Sequence, residues 1–165
     1  MSMLLLLVRH AIALPSGTPD IADDERPLTK RGRKRFRKAA RGLARIMPVP
    51  DLLLTSPLPR ALETAEIAAD AWGEVMPTRE PLLAGGQAAD LIAALVARDD
   101  NEVVALVGHE PGISELLAHL VGGSAERVPF KKGGAALVAM DDAASGRGQL
   151  VWFLPPRLLR RLAGG

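Results

Sequence analysis

Apolar positions fall in short unbroken runs, separated by stretches of helical spacing, and the two alternate along most of the chain. "LLLLV" at 4–8 is the first run; five apolar residues without polar alternation predict a strand buried on both faces. The polar segment 11–28, with its Pro and Gly, predicts a long irregular connection, the kind of loop that often carries function. Thr29 is placed to cap a helix whose buried stripe is Phe36, Ala40, Leu43 and Met47, and Pro48 and Pro50 stop it. "DLLLTS" at 51–56 predicts a second short strand, and Leu58, Leu62, Ala65, Ala69 and Trp72 follow at helical spacing. A weaker strand is expected around Val75, then a helix carrying Leu91, Ile92, Leu95 and Val96, then the strand "VVALV" at 103–107. Pro111 suits the first turn of the next helix, whose apolar face is Ile113, Leu116, Leu117, Leu120 and Val121 and which Gly122 and Gly123 end. "AALVAM" and "QLVWFL" flank an Asp-, Gly- and Ser-rich turn at 141–148 and predict an antiparallel pair. Residues 155–165 read as a short basic helix or a frayed tail. Alternating strands and helices are the pattern of an α/β fold, with no internal repeat or interdomain linker.

Composition narrows this picture. At 165 residues and 48% hydrophobic content the chain is expected to form one domain, 1–165, with a core large enough to need no staples. It has no cysteine, which excludes disulfides, thiolate nucleophiles and thiolate metal sites and suits a reducing compartment. The first apolar run is too short for a signal segment or for a membrane span of roughly 20 residues, so a soluble, cytoplasmic protein with no membrane partner is expected. Net charge is only +2, yet seven of the 21 cations lie in "KRGRKRFRK", 30–38. That run reads as a solvated helix face or as a docking surface for an anionic partner. Aromatic content of 3% without Tyr leaves few rings on which bases could stack, which disfavours nucleic acid as the partner.

Chemistry gathers at three predicted strand ends: "VRH" at 8–10, "TSPLPRA" at 55–61 and "VGH" at 107–109. In a parallel sheet the strand C-termini share one edge, and ligands bind in the crevice outside it. Arg9, His10, Arg60 and His109 should therefore converge, joined by free amides where helices begin near Pro57 and Pro111. Each residue taken singly has a structural reading: an arginine paired with an acid, a satisfied core histidine, a cap. Two arginines and two histidines crowded together repel unless an anion sits among them, so a phosphate-sized anion site is expected. A metal is not: the two histidines are 99 residues apart without a local ligand pair, and adjacent arginines would oppose a cation.

"LVRHA", "RPLTKRG", "TSPLPRALETA" and "VGHEPG", in that order, resemble the histidine phosphatase superfamily and in particular its SixA-like phosphohistidine phosphatase branch. The likeness runs roughly from residue 4 to 140. It implies a three-layer α/β/α sandwich with a mixed, mostly parallel sheet, phosphoglycerate-mutase-like. By this resemblance His10 is the nucleophile, forming a transient phosphohistidine that water hydrolyses, with no metal or other cofactor. Arg9 and Arg60 would hold the non-bridging oxygens and keep His10 neutral, and His109 would complete the pocket. Glu80 lies where many members place a proton donor to the leaving group, with Asp23, Asp24 and Glu25 as alternatives. Arg26 in "RPLT" either reaches the substrate or pairs with Asp23 or Asp24. Thr55 and Ser56 read as turn and cap residues, Glu110 as facing outward or orienting its loop, and His119 as a surface or boundary residue. With little length to spare for a cap insertion, the chain suits a phosphoryl group presented on another protein, for example a phosphotransfer domain. Other readings are a phosphatase for a small phosphate ester or nucleotide-derived phosphate, and a noncatalytic phosphate-binding module.

Overall fold

In the computed structural model, which describes residues 3–98, 100–140 and 142–164 without the side chain of residue 143, six strands form one sheet in the order β3-β2-β4-β1-β5-β6. The strands are β1 (Met3–Arg9), β2 (Leu52–Thr55), β3 (Pro77–Arg79), β4 (Val103–Gly108), β5 (Ala135–Met140) and β6 (Gln149–Leu154). β3, β2, β4 and β1 run parallel, while β5 lies antiparallel to β1 and β6 antiparallel to β5. This is the mixed, mostly parallel sheet of the expected α/β/α sandwich. The helices are α1 (Lys30–Ile46), α2 (Pro59–Trp72), α3 (Ala88–Val96), α4 (Gly112–Val121) and α5 (Pro156–Leu162).

The unbroken run in β1 has a direct packing reason. Successive side chains leave a strand on opposite faces. Leu6 and Val8 enter a core shared with α1, α2 and α5, while Leu5 and Leu7 enter a second core with α3 and α4. Both faces are covered, so no position can be polar until the strand ends at Arg9. Its register with β4, Arg9 beside Gly108, and that of β2 with β4, Thr55 beside Val107, bring the three strand C-termini to one edge.

Thr29 caps α1 as expected, its hydroxyl accepting from the Gly32 amide at 2.8 Å. The residues after 154 are a helix rather than a frayed tail: Leu159 is fully buried against α1. Gly42 makes this possible, because a methyl group there would overlap the Leu159 carbonyl. Three expectations shift. The third strand is Pro77–Arg79 instead of a segment around Val75; Pro77 needs no amide at the start of an edge strand, and Val75 packs under α2 from the connection. Pro111 caps α4 from outside, one residue before the first turn. The buried face of α2 is centred on Ala61, Thr64, Ala65 and Ala68, with Leu62 only half-buried, since small side chains let this helix lie close to the sheet. The turn expected at 141–148 includes residue 141, outside the described residues; Ala143–Ser145 form a single 3-10 turn. Among the described residues, no helix is long and apolar enough to cross a membrane.

Candidate active site

His10 follows the last residue of β1, and its amide bonds to the Gly108 carbonyl of β4 at 3.0 Å. The side chain is 6% exposed. Its Nδ1 lies 2.7 Å from the Ala11 carbonyl, which can only accept, so Nδ1 carries the proton and Nε2 the lone pair. Burial pushes the imidazole from its usual 6.5 down to about 3; the Ala11 carbonyl opposes this, and the neighbouring His109 ring and the cations Arg60 and Arg9 add to it. A neutral imidazole with a free Nε2 can act as a nucleophile at neutral pH.

His109, just beyond β4, stacks obliquely on His10, with ring centroids 5.2 Å apart. Its Nε2 lies 2.7 Å from the hydroxyl of Ser56, a fully buried residue at the end of β2. Ser56 Oγ also accepts from the Leu58 amide at 3.2 Å, and its hydroxyl can either give its hydrogen to His109 Nε2 or accept one from it, so the tautomer of His109 follows what its unpartnered Nδ1 meets. Burial, then Arg60, Arg26 and Arg9, hold His109 down at about 4, against the pull of Asp24.

Arg60 stands in the first turn of α2 and is 7% exposed, with Nη1 donating to the Asp23 carbonyl at 3.0 Å. Arg9 is steadied by Nη1 donating to the Phe130 carbonyl at 2.6 Å. Burial lowers both guanidiniums, Arg60 further through the charge of Arg26; Glu110 partly offsets the effect at Arg9, and Asp23 and Asp24 at Arg60. Among the described residues, three buried nitrogens of this cluster, Arg9 Nε, Arg60 Nε and His109 Nδ1, have no partner; a fourth such atom, Trp72 Nε1, lies elsewhere. Two cations and two neutral imidazoles with spare donors match a tetrahedral oxyanion far better than a metal ion.

The four strand-edge residues are thus brought together, but the helix amides contribute less than expected. At α4 the Ser114 amide is taken by the Glu110 carboxylate at 3.0 Å and the Ile113 amide by the His109 carbonyl at 2.8 Å. At α2 the Leu58 amide is taken by Ser56, and Pro59 at the first helical position has none. Glu110 therefore orients its loop. Glu80 caps the following 3-10 turn by accepting from the Leu82 amide at 3.2 Å and pairs with Arg98 at 3.3 Å. The charge of Asp24 reaches Arg60 and His109. Arg26 pairs with Asp23 at 2.9 Å and donates to the Leu14 carbonyl at 2.7 Å, while its charge reaches Arg60 and His109. His119 is exposed.

Two residues exceed what the sequence suggested. Thr64 accepts from the Ala11 amide at 3.0 Å and donates to the Arg60 carbonyl at 2.7 Å, tying the loop after His10 to α2. Its spacing of four from Arg60, on the same helix face, was the available signal. Ser56 is more than a cap, because its hydroxyl holds the His109 ring through Nε2. Ser56→Ala is expected to lower kcat/KM toward an aryl phosphate by about 10- to 100-fold with the fold intact. Native activity in that variant would mean that packing alone orients His109.

The histidines also link stability to pH. Between pH 6.5 and about 4 the unfolded chain binds protons on His10 and His109 that the folded chain refuses, so stability is full above pH 6.5 and declines as pH falls. His10 contributes up to about 1.4 kcal/mol per pH unit. The Tm of the native chain is expected to fall more steeply from pH 7 to 4.5 than that of His10→Asn; parallel curves would show that His10 is not held neutral.

Comparison with known proteins agrees with this geometry. Residues 5–85, which include Arg9, His10 and Arg60, match the profile of the Histidine phosphatase superfamily (branch 1). An uncharacterized protein of Picosynechococcus sp. is 35% identical over 138 residues, 80% of this chain and 82% of that protein. Among solved structures, the protein histidine phosphatase SixA complexed with tungstate matches with a TM-score of 0.84 and 27% identity, over 95% of this chain and 99% of that one. At 19% identity the fold is shared with mycobacterial glucosyl-3-phosphoglycerate phosphatase, TM-score 0.72 over 94% of this chain and all of that one. The α-ribazole phosphatase of Shigella flexneri, also 19% identical, has a TM-score of 0.74 over 93% and 97%.

Proposed function

The chain belongs to the histidine phosphatase superfamily, and from that premise we propose that it hydrolyses protein phosphohistidine through a phosphohistidine intermediate of its own, without a metal. The observation that carries the reading is His10: a buried imidazole, neutral, with Nδ1 engaged and Nε2 free, beside two arginines with buried donors to spare.

In this mechanism the Nε2 lone pair attacks phosphorus, and the bond to the leaving group breaks with its electron pair going to that group. Arg9 and Arg60 hold the non-bridging oxygens, and His109 Nδ1–H donates to the same phosphoryl group, so the charge that spreads over these oxygens meets donors already in position. The leaving nitrogen or oxygen takes up a proton. For an oxygen leaving group Asp24 is better sited than Glu80, because its charge reaches the pocket while Glu80 is occupied by Leu82 and Arg98. Water then attacks the phosphorylated His10, the P–N bond breaks, and inorganic phosphate and neutral His10 are regenerated. An imidazole leaving group departs far more readily than an alkoxide, so a protein phosphohistidine makes the least demand on an acid. The similarity to SixA, named as a protein histidine phosphatase, supports this substrate class.

The test is phosphate release in EDTA from a phosphohistidine-bearing protein and from an aryl phosphate. Faster turnover of the protein, as kcat/KM, is expected. A marked preference for a small phosphate ester would replace the substrate assignment with the activity its neighbours' names carry, and binding of tungstate without turnover of either substrate would leave a phosphate-binding module.

A further inference from the structure

The basic run on α1 does not act alone. Packing of α5 on α1 brings Arg157 and Arg160 alongside it, and the loop before β5 adds Lys131 and Lys132. Between these three elements opens a cleft of about 340 Å³ whose cations are Arg35, Lys131, Lys132, Arg157 and Arg160. A shallower depression of about 470 Å³ shares Arg35 and Arg160 and adds five more cations of α1, from Arg31 to Arg41. No acidic residue lines either one. The ion pairs among the described residues are Arg26 with Asp23, Arg33 with Glu63 and Arg98 with Glu80, so none of these ten cations is in one. Arg160, half-buried, is lowered by burial and by the charges of Arg35, Arg157 and Arg31, with no carboxylate opposing them. Like charges at helical spacing and across a helix pair cost stability. The face is therefore maintained at the expense of folding, which points to an anionic occupant.

The position of the cleft says what kind. Its wall includes Ala11 and Ile12, the two residues after His10. Gly133, at φ +81°, turns its amide onto the Arg9 and His10 carbonyls, both at 3.1 Å, and Lys131 follows the Phe130 carbonyl that holds Arg9. The cleft is thus continuous with the end of the catalytic strand. From Arg31 to Arg41 the basic face runs roughly 15 Å along α1, at about 1.5 Å per residue, well beyond the reach of a single phosphate group. The only aromatic residue of the cleft or the depression, Phe36, is 3% exposed, so bases have nothing to stack on.

We infer that the α1–α5 cleft and the adjoining face of α1 form a docking surface for an acidic face of the protein that carries the phosphohistidine. The inference rests on the proposed function, since it places the partner of that same site. The surface steers and holds the acidic partner while its phosphoryl group enters between Arg9 and Arg60; such contacts act on encounter and on KM more than on the chemical step.

Two charge reversals test it, Lys132→Glu with Arg157→Glu in the cleft and Lys34→Glu with Lys38→Glu on α1, each checked for an unchanged Tm. For an acidic phosphohistidine protein, each pair is expected to raise KM at least tenfold, leave kcat within twofold and flatten the salt dependence of kcat/KM, while kcat/KM for an aryl phosphate stays native. Charge-conserving Lys132→Arg with Arg157→Lys keeps the native KM. A native KM in both reversed variants overturns the inference. A second measurement is independent of turnover: a fluorescent poly-glutamate peptide binds the native chain and binds each reversed variant at least tenfold more weakly. No binding of the peptide to the native chain, tighter binding of duplex DNA lost in the same variants, or displacement of duplex DNA but not peptide by the reversals would each overturn it. Peptide binding lost in the variants, without turnover of phosphohistidine protein by the native chain, would uphold the surface and remove the proposed substrate.

Discussion

His10→Ala is expected to release phosphate from neither a phosphohistidine protein nor an aryl phosphate, a loss of about 10⁴-fold or more in kcat, while tungstate still binds. The size of the effect follows from what remains. Arg9, Arg60 and His109 can still hold an oxyanion, but no other side chain offers a neutral, unprotonated nitrogen at the end of β1. His109 cannot substitute, because its Nε2 is engaged by Ser56 and its Nδ1 donates to the phosphoryl group in the proposed mechanism. Tungstate binding measured by calorimetry separates a lost nucleophile from a collapsed pocket. Phosphate release that survives in a folded, tungstate-binding variant would remove His10 from the nucleophile's role.

Arg60→Met is expected to lower kcat/KM by about 10³-fold, most of it in kcat. Arg60 presents a donor whose Nε has no partner among the described residues, and a phosphoryl group gains more from such a donor as charge spreads over its oxygens than in the ground state. The same variant gives a second, opposite readout. Burial and the neighbouring Arg26 already disfavour the charge on Arg60, so an apolar side chain of similar length keeps or raises Tm. His10 also loses one of the charges that keep it neutral, so its protonation moves up from about 3. A variant with native kcat/KM would show that Arg60 does not touch the phosphoryl group. A variant with lowered activity and a large drop in Tm would show a structural arginine instead.

Much of the architecture could be read from the chain because it is encoded locally. "LLLLV" can only be a strand covered on both sides, Thr29 sits where a helix needs an acceptor, and Phe36, Ala40 and Leu43 repeat at the helical period. The site was legible for the same reason: Arg9, His10, Arg60 and His109 each lie within a few residues of a strand's C-terminus, and parallel strands deliver these ends to one edge. Where the sequence misled, tertiary contact overrode a local signal. Val75 has strand propensity, yet β2 pairs with Pro77–Arg79.

What the sequence determined by itself is therefore the set of elements and the residues at the sheet edge. Only the tertiary structure decided which nitrogen of His10 is free, that Ser56 and Thr64 hold the site in register, and that Lys131, Lys132, Arg157 and Arg160 join the basic run of α1. Spacing along the chain specifies local periodicity and strand ends, but contacts such as Arg9 with Phe130, 121 residues apart, depend on β5 lying beside β1 and on α5 returning to α1. Those neighbours are chosen by which apolar faces remain to be covered once the sheet has formed, a property of the packed whole.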